Sequence, residues 1–225
     1  MDEDHSLIDR LSAMYLMHRL TIIVAATKHN GIGQNSSLPW RLPKEMKYFA
    51  QATSVAPDGK LNVVIMGRNT WESIPKRHRP LPNRLNLVTS RNNDYELEMT
   101  GNGPAYLHTD LASALARLDT PNQENSIHRA FIIGGASLYS ESLALSEPSS
   151  LVIVDRILLT RILSPDFACD VFMRDFIGEE KEDGKQKWNK ASHEELESWL
   201  GFRVPEGQQE ENGVKYEFQM WIPNL

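Results

Sequence analysis

Apolar positions along this chain follow two rhythms. Residues 21–26, 61–66, 85–89 and 130–133 are short runs of β-branched and aliphatic side chains, the pattern of a strand buried on both faces. Between them, residues 43–53, 69–74, 110–118 and 136–145 have helical spacing, with Leu111, Ala114, Leu115 and Leu118 as one clear stripe. Strand–helix–strand alternation predicts parallel pairing through crossover helices. After Ser150 the pattern changes. Residues 151–162 read as one long strand. Residues 214–222 alternate Val214, Tyr216, Phe218, Met220 and Ile222 with Lys215, Glu217 and Gln219, which predicts an antiparallel final strand. Residues 178–213 carry Gly184, Gly201, Gly207 and Gly213 and read as loops and short hairpin pieces. Leu7, Ile8, Leu11, Met14 and Tyr15 have the spacing of a short packed helix inside an N-terminal extension, residues 1–19. There is no internal repeat and no dividing linker, so the expectation is one α/β domain over residues 20–225.

Composition narrows the function classes. A length of 225 residues with 40 % hydrophobic content suffices for one full core, and no apolar run approaches membrane-spanning length. Cys169 is the single cysteine, which excludes a disulfide framework and a zinc cluster and points to a reducing, cytoplasmic compartment. Asp2, Glu3 and Asp4 argue against a mitochondrial transit peptide. Net charge is −6 but uneven. Lys60 to Arg91 holds seven Lys/Arg against one acid, Glu72, whereas Asp175 to Glu211 holds eleven acids and five bases. An acidic whole with a local basic stretch argues against a nucleic-acid binder and for a small polyanionic ligand; the acidic stretch, within an insertion of about 178–213, reads as solvated surface. The run Lys76-Arg77-His78-Arg79 reads as a solvated loop, and the seven histidines show no ligand spacing, so no metal is expected.

Glu45 raises the main chemical question. A helix starting near Pro43 would put Glu45 and Phe49 one turn apart on one face, with Met46 beside them and Trp40 nearby. A carboxylate among Met, Phe and Trp must find an N–H-rich or cationic partner, or hold a proton at neutral pH. A flat, amidine-like heterocycle suits that environment; the alternative is a surface glutamate on an amphipathic helix. Three strand ends also suit phosphate. Gly67-Arg68-Asn69-Thr70 opens a helix after a glycine, and Gly134-Gly135-Ala136-Ser137-Leu138-Tyr139 removes two Cβ atoms where a ring or pyrophosphate could lie. Ser90-Arg91 suits a ribose 2′-phosphate, and the nearest following acid is Asp94, which favours NADP over NAD. Each corner alone reads equally as a tight turn, and no G-x-G-x-x-G is present. Three on one sheet favour a bound dinucleotide.

Together these segments resemble dihydrofolate reductase, from about Leu20 to Ile222. The resemblance rests on Gly31-Ile32-Gly33, Leu38-Pro39-Trp40, Glu45 with Phe49, Val64-Ile65-Met66-Gly67-Arg68-Asn69-Thr70-Trp71, Leu87-Val88-Thr89-Ser90-Arg91, and Ile133-Gly134-Gly135 with Tyr139. Size and the residues after Ile162 look like a eukaryotic, fungal-type member. The resemblance implies NADPH-dependent reduction of 7,8-dihydrofolate to tetrahydrofolate, serving one-carbon metabolism. It implies a single domain with a central mixed, mostly parallel β-sheet, an antiparallel C-terminal strand and flanking helices. It also implies a monomer whose partners are dihydrofolate and antifolate inhibitors, without metal, membrane or nucleic acid. By the same resemblance, Glu45 grips the pterin amidine, Thr160 supports it by hydrogen bonding, and Trp40 holds an ordered water. Ile23, Val24, Met46, Phe49, Ile74, Leu81, Ile133 and Tyr139 line the substrate, and Arg84 pairs with its glutamate α-carboxylate. Ala25, Ile32, Gly33, Gly67, Arg68, Asn69, Thr70, Ser90, Arg91, Gly134, Gly135, Ala136, Ser137 and Leu138 hold the cofactor. The loop from Gly31 to Ser37 is a candidate lid.

Met46 replaces an aromatic common in vertebrate members, Arg68 replaces Lys, and Ser36-Ser37 replace Gly-Asp. These differences bear on inhibitor preference and loop kinetics rather than on the reaction. Two rivals remain at this stage: a pyrimidine reductase of riboflavin synthesis, which shares fold and cofactor, and a non-catalytic NADP- or RNA-binding regulator. Glu45 in its Pro39-Trp40 context weighs against the first, and retention of a buried acid against the second.

Overall fold

The computed structural model of the chain describes residues 18–119, 126–144, 152–181 and 183–224. The helix expected between Leu7 and Tyr15 lies outside the described residues. In chain order the strands are β1 (His18–Thr27), β2 (Gly31–Gly33), β3 (Lys60–Gly67), β4 (Arg84–Thr89), β5 (Ala105–His108), β6 (Ser126–Gly134), β7 (Val152–Ser164), β8 (Val171–Phe172), β9 (Trp188–Lys190), β10 (Gln209–Glu211) and β11 (Val214–Pro223). The helices are α1 (Pro43–Ser54), α2 (Arg68–Ser73), α3 (Leu111–Ala116), α4 (Ala136–Ala144) and α5 (His193–Leu200).

The main sheet runs in the order β10-β11-β7-β1-β6-β3-β4-β5, with β9 added on β11. From β7 to β5 every pairing is parallel. β11 then joins β7 antiparallel, with Phe218 opposite Thr160. This is the mixed, mostly parallel α/β sheet that the sequence predicts. The parallel strands lack polar alternation because helices cover both faces. Leu20, Ile22, Val24 and Ala26 of β1 pack with α3 and α4 on one side. Ile23, Phe131 and Leu158 pack with α1, α2 and α5 on the other.

Residues 178–213 depart from the loop reading, because they contain α5. Ser192 Oγ accepts from Glu195 N at 3.1 Å and Glu195 Oε2 accepts from Ser192 N at 2.7 Å, a reciprocal cap, and Gly201 ends the helix at φ 77°. Leu196 and Leu200 are buried beneath it, each contributing about 2 kcal/mol of apolar burial. Arg79 also departs from its solvated expectation. It is buried, donating Nε to Ile74 O and Nη2 to Glu72 O, both at 2.6 Å, and it lies over the Trp71 ring.

Register decides where chemistry can gather. Ala25 pairs with Thr160, Met66 with Gly134 and Gly67 with Thr89, so these strand ends share the carboxyl edge of the sheet. Ligands of open α/β sheets bind at that edge.

Candidate functional site

Pro43 starts α1, where its missing N–H and fixed φ cost nothing. The buried side chains of α1 are Glu45, Tyr48, Ala52 and Thr53, so the acid lies on the face packed against the sheet. Glu45 is 5 % exposed. Its Oε1 accepts from the Thr160 hydroxyl of β7 at 3.0 Å, the one hydrogen bond to this carboxyl among the described residues. Burial pushes the carboxyl up to about 7; the Thr160 hydroxyl opposes this and the charge of Glu211 adds to it. Ionising Glu45 in place therefore costs about 3 kcal/mol more than in water. Tyr48 and Tyr139, both buried, are pushed above the ordinary phenol range by burial first and by the Glu45 charge second, so both are neutral at physiological pH. Tyr139 donates its hydroxyl to the Ile23 carbonyl at 3.0 Å, tying α4 to β1.

A second buried charge lies at the other end of α1. Residue 53 is roughly 12 Å beyond residue 45 along the helix axis. Arg84, at the start of β4, donates Nη1 to Thr53 Oγ1 at 2.6 Å and Nε to Pro82 O at 2.9 Å. Burial lowers this guanidinium to about 10, which leaves it protonated at neutral pH. Its surroundings are built by amides. Asn62 Nδ2 donates to the Thr53 and Val55 carbonyls, and Asn86 bonds Leu81 N, Leu81 O and Arg84 O.

The glycine corner lies at the same sheet edge as Thr160, the partner of the acid. Gly134 has φ 135°, and a Cβ there would meet Thr70 Oγ1 at 2.8 Å, so only glycine lets β6 and α2 approach this closely. Ala136, Ser137 and Leu138 form the first turn of α4; Ser137 is exposed and Leu138 buried. Arg68, Asn69 and Arg91 are exposed, while Thr70 is half-buried. Ser90 is buried, with Oγ accepting from Asn92 N at 3.1 Å.

The loop after β1 is tied down by β2, which pairs with β8. Thr27 Oγ1 accepts from Gly31 N at 2.9 Å, and a Cβ on Gly31 would lie 2.6 Å from Cys169 Sγ. Ile32 is half-buried and Gly33 buried. Trp40 is buried with its ring edge-on to Phe167 at 5.5 Å, and its Nε1 has no acceptor among the described residues.

Of the sequence-predicted substrate residues, Ile23 and Ile133 are buried on the α1 face at this edge, whereas Val24 and Tyr139 pack in the cluster on the α3 and α4 face. Ala25 (predicted at the cofactor), Phe49, Ile74 and Leu81 pack half-buried against the apolar cluster on the α1 face. Met46 is 48 % exposed. Sequence reasoning missed Tyr48, Thr53 and Glu211; Tyr48 and Thr53 share the Glu45 stripe at i+3 and i+8, a usable signal. A groove of about 670 Å³ lined by Arg129, Arg156 and Trp199, and one of about 370 Å³ around Lys76 and Arg79, do not include Glu45. The site is assigned by the buried acid instead of by groove size, because a desolvated carboxyl costs free energy that a ligand with paired N–H donors offsets. Among the described residues no group of three His, Cys, Asp or Glu is placed to hold a metal ion, and no helix is long and apolar enough to cross a membrane.

Comparison with known proteins adds independent findings. A family model described as dihydrofolate reductase matches residues 19–201. The dihydrofolate reductase of Cryptococcus neoformans var. neoformans serotype D is 47 % identical over 91 % of this chain and 95 % of its own length. That of Pneumocystis carinii is 43 % identical over 92 % of this chain and 97 % of its own. That of Bos taurus is 36 % identical over 93 % of this chain and 100 % of its own.

Proposed function

The chain belongs to the dihydrofolate reductase family and is of fungal type, and on that premise we propose that it reduces 7,8-dihydrofolate to 5,6,7,8-tetrahydrofolate with NADPH as reductant. The pterin gains hydride at C6 and a proton at N5. The observation that carries this reading is the buried Glu45 carboxyl, held among the described residues by Thr160 alone and raised to about 7.

In this reading Glu45 accepts the pterin N3–H and 2-amino N–H with its two oxygens. That restores the solvation burial removed and fixes the plane of the ring. Thr160 orients the carboxyl. Glu45 raises the basicity of N5 electrostatically, and the unmatched Trp40 N–H holds the water that brings the proton. Roughly 12 Å along α1, Arg84 offers its remaining N–H donors to the substrate's α-carboxylate, the paired geometry that lysine lacks. Ile23, Phe49, Ile74, Leu81 and Ile133 line the space between, with Met46 beside them, while Val24 and Tyr139 support β1 from the opposite face.

The residues present fit a nicotinamide dinucleotide: Gly134 has room for no Cβ, and hydroxyl and guanidinium donors stand at the neighbouring strand ends. Arg68, Asn69, Thr70, Ser90 and Arg91 would hold phosphates. Ala25, Ile32, Gly33, Gly67, Gly134, Gly135, Ala136, Ser137 and Leu138 would frame the nicotinamide and pyrophosphate. NADPH is preferred over NADH because Ser90-Arg91 stands where an acid would bind the ribose hydroxyl. When bound, the cofactor supplies the hydride.

The same site would take diaminopyrimidine antifolates, and the protein would act as a cytoplasmic monomer, with residues 20–225 as its domain and 178–213 as a surface insertion. The test is NADPH absorbance followed with and without dihydrofolate, with the riboflavin-pathway pyrimidine as a second substrate. Consumption with dihydrofolate is expected; consumption with the pyrimidine alone would overturn the reading.

A further inference from the structure

The N-terminus of α1 lacks a local cap. Its N-cap residue, Leu42, has no side chain that accepts a hydrogen bond, and Pro43 offers no N–H. The free N–H of Lys44 is met from 167 residues away, where the Glu211 carboxylate accepts it with Oε1 at 3.1 Å and Oε2 at 3.0 Å. The next residue adds a second strut, Asn212 Nδ2 donating to the Arg41 carbonyl at 2.8 Å. Asn212 and Gly213 have φ of 52° and 75° and connect the antiparallel β10 and β11, with Glu211 opposite Val214. An Asn-Gly pair with both φ positive is a tight hairpin turn, so the carboxylate is presented from a rigid support.

Resting on the reaction proposed above, we propose that Glu211 is a positioning residue for the catalytic acid, fixing the first turn of the helix that carries Glu45 and setting the electrostatic field in which that carboxyl works. A helix N-terminus carries partial positive charge, which favours an ionised Glu45 one residue beyond Lys44. The Glu211 carboxylate sits on that charge and offsets it. Among the described residues few titratable groups surround Glu45, and Glu211 on β10 is the one whose charge bears on it. Tyr48 on its own helix, Tyr139 on α4 and Tyr216 on β11 respond to Glu45 but stay neutral. Lys44 and Lys47 flank it on α1 and are exposed. Glu211 therefore holds the ligand-free Glu45 protonated to a higher pH than the helix end alone would, and adds to the negative field that Glu45 exerts at pterin N5 in the complex.

The test compares Glu211→Gln, Glu211→Asp and Glu211→Ala with the parent protein across pH 5.5–9, alongside thermal unfolding of each. Glu211→Gln keeps an acceptor for Lys44 N–H but loses the charge. The fall in dihydrofolate turnover with rising pH follows loss of the N5 proton, which negative charge nearby helps retain. Removing the Glu211 charge should therefore move that fall toward acid by about half a unit, a roughly threefold loss at pH 8.5 with none at pH 5.5. Glu211→Asp, retaining charge, should restore the parent profile, and Glu211→Ala should show the shift together with a lower unfolding temperature. Superimposable profiles for Gln and parent, or a fall in unfolding temperature with no change in pH profile, would overturn the proposal. Absence of dihydrofolate turnover in the parent protein would instead refute the proposed reaction.

Discussion

The two ends of α1 each bury a charge, and they do so in opposite ways. At the N-terminal end Glu45 has one neutral partner among the described residues, Thr160, and burial pushes its carboxyl up to about 7. At the C-terminal end Arg84 is surrounded by carbonyl and hydroxyl acceptors and remains a cation despite burial. The difference is chemical. A guanidinium has five donors and releases its proton only far above neutrality, so two hydrogen bonds leave it charged with donors to spare. A carboxyl with one donor is caught between forms. In the proposed reaction, the end that meets the pterin N–H donors is left undersolvated until they arrive, and the end that would hold an anion is well supported.

The sharpest way to break this contrast is Glu45→Gln. It keeps volume and an acceptor for Thr160 but cannot carry the charge, and should lower dihydrofolate turnover at pH 7 by about 10²–10⁴-fold while NADPH binding, measured by fluorescence titration, is unchanged. Near-normal turnover would mean the acid is not used.

The same substitution should stabilise the ligand-free protein. Because the folded-state value of Glu45 is raised from 4.5 to about 7, the unfolded chain releases its proton first as pH rises. Native stability therefore falls between those two values and levels off above the higher one. Glu45→Gln removes that loss, so urea unfolding should show a gain of about 3 kcal/mol at pH 8 and almost none at pH 4.

At the other end, Arg84→Leu should raise KM for dihydrofolate about 10- to 100-fold, the range of charge-assisted hydrogen bonds, and leave diaminopyrimidines without a glutamate tail unaffected. Equal losses for both ligand types would erase the division of labour along α1. The smallest effect is expected from Thr160→Val. Its hydroxyl lowers the Glu45 value, so its removal should raise the titration midpoint of the Glu45 carboxyl in the ligand-free protein, read by infrared, by about half a unit.

Much of this arrangement was legible in the sequence where pattern is long. Non-alternating strands declared the parallel sheet, and strict alternation from Val214 to Ile222 declared the antiparallel one. The proline-led stripe of α1 put Glu45 on the buried face. Strands β2, β8, β9 and β10, two or three residues each, carry too few positions for any period to show. Helix α5 did carry its start signal, Ser192 three residues before Glu195, but surrounding glycines and acids drew attention to loop composition instead. Arg79 was misplaced because a run of bases reads as solvated, whereas its burial depends on carbonyls that only the folded α2 turn presents. Thr160 opposite Glu45 and Glu211 against Lys44 join residues 115 and 167 positions apart. Nothing local in the sequence pairs them; only the family resemblance placed Thr160.

The most direct measurement is an infrared titration of the free protein, reading the protonated carboxyl stretch against Glu45→Gln as blank. A carboxyl that titrates with a midpoint near 7 and is missing from the variant is the predicted result. A Glu45 signal already fully ionised by pH 5.5, as for a carboxylate in water, would contradict the account.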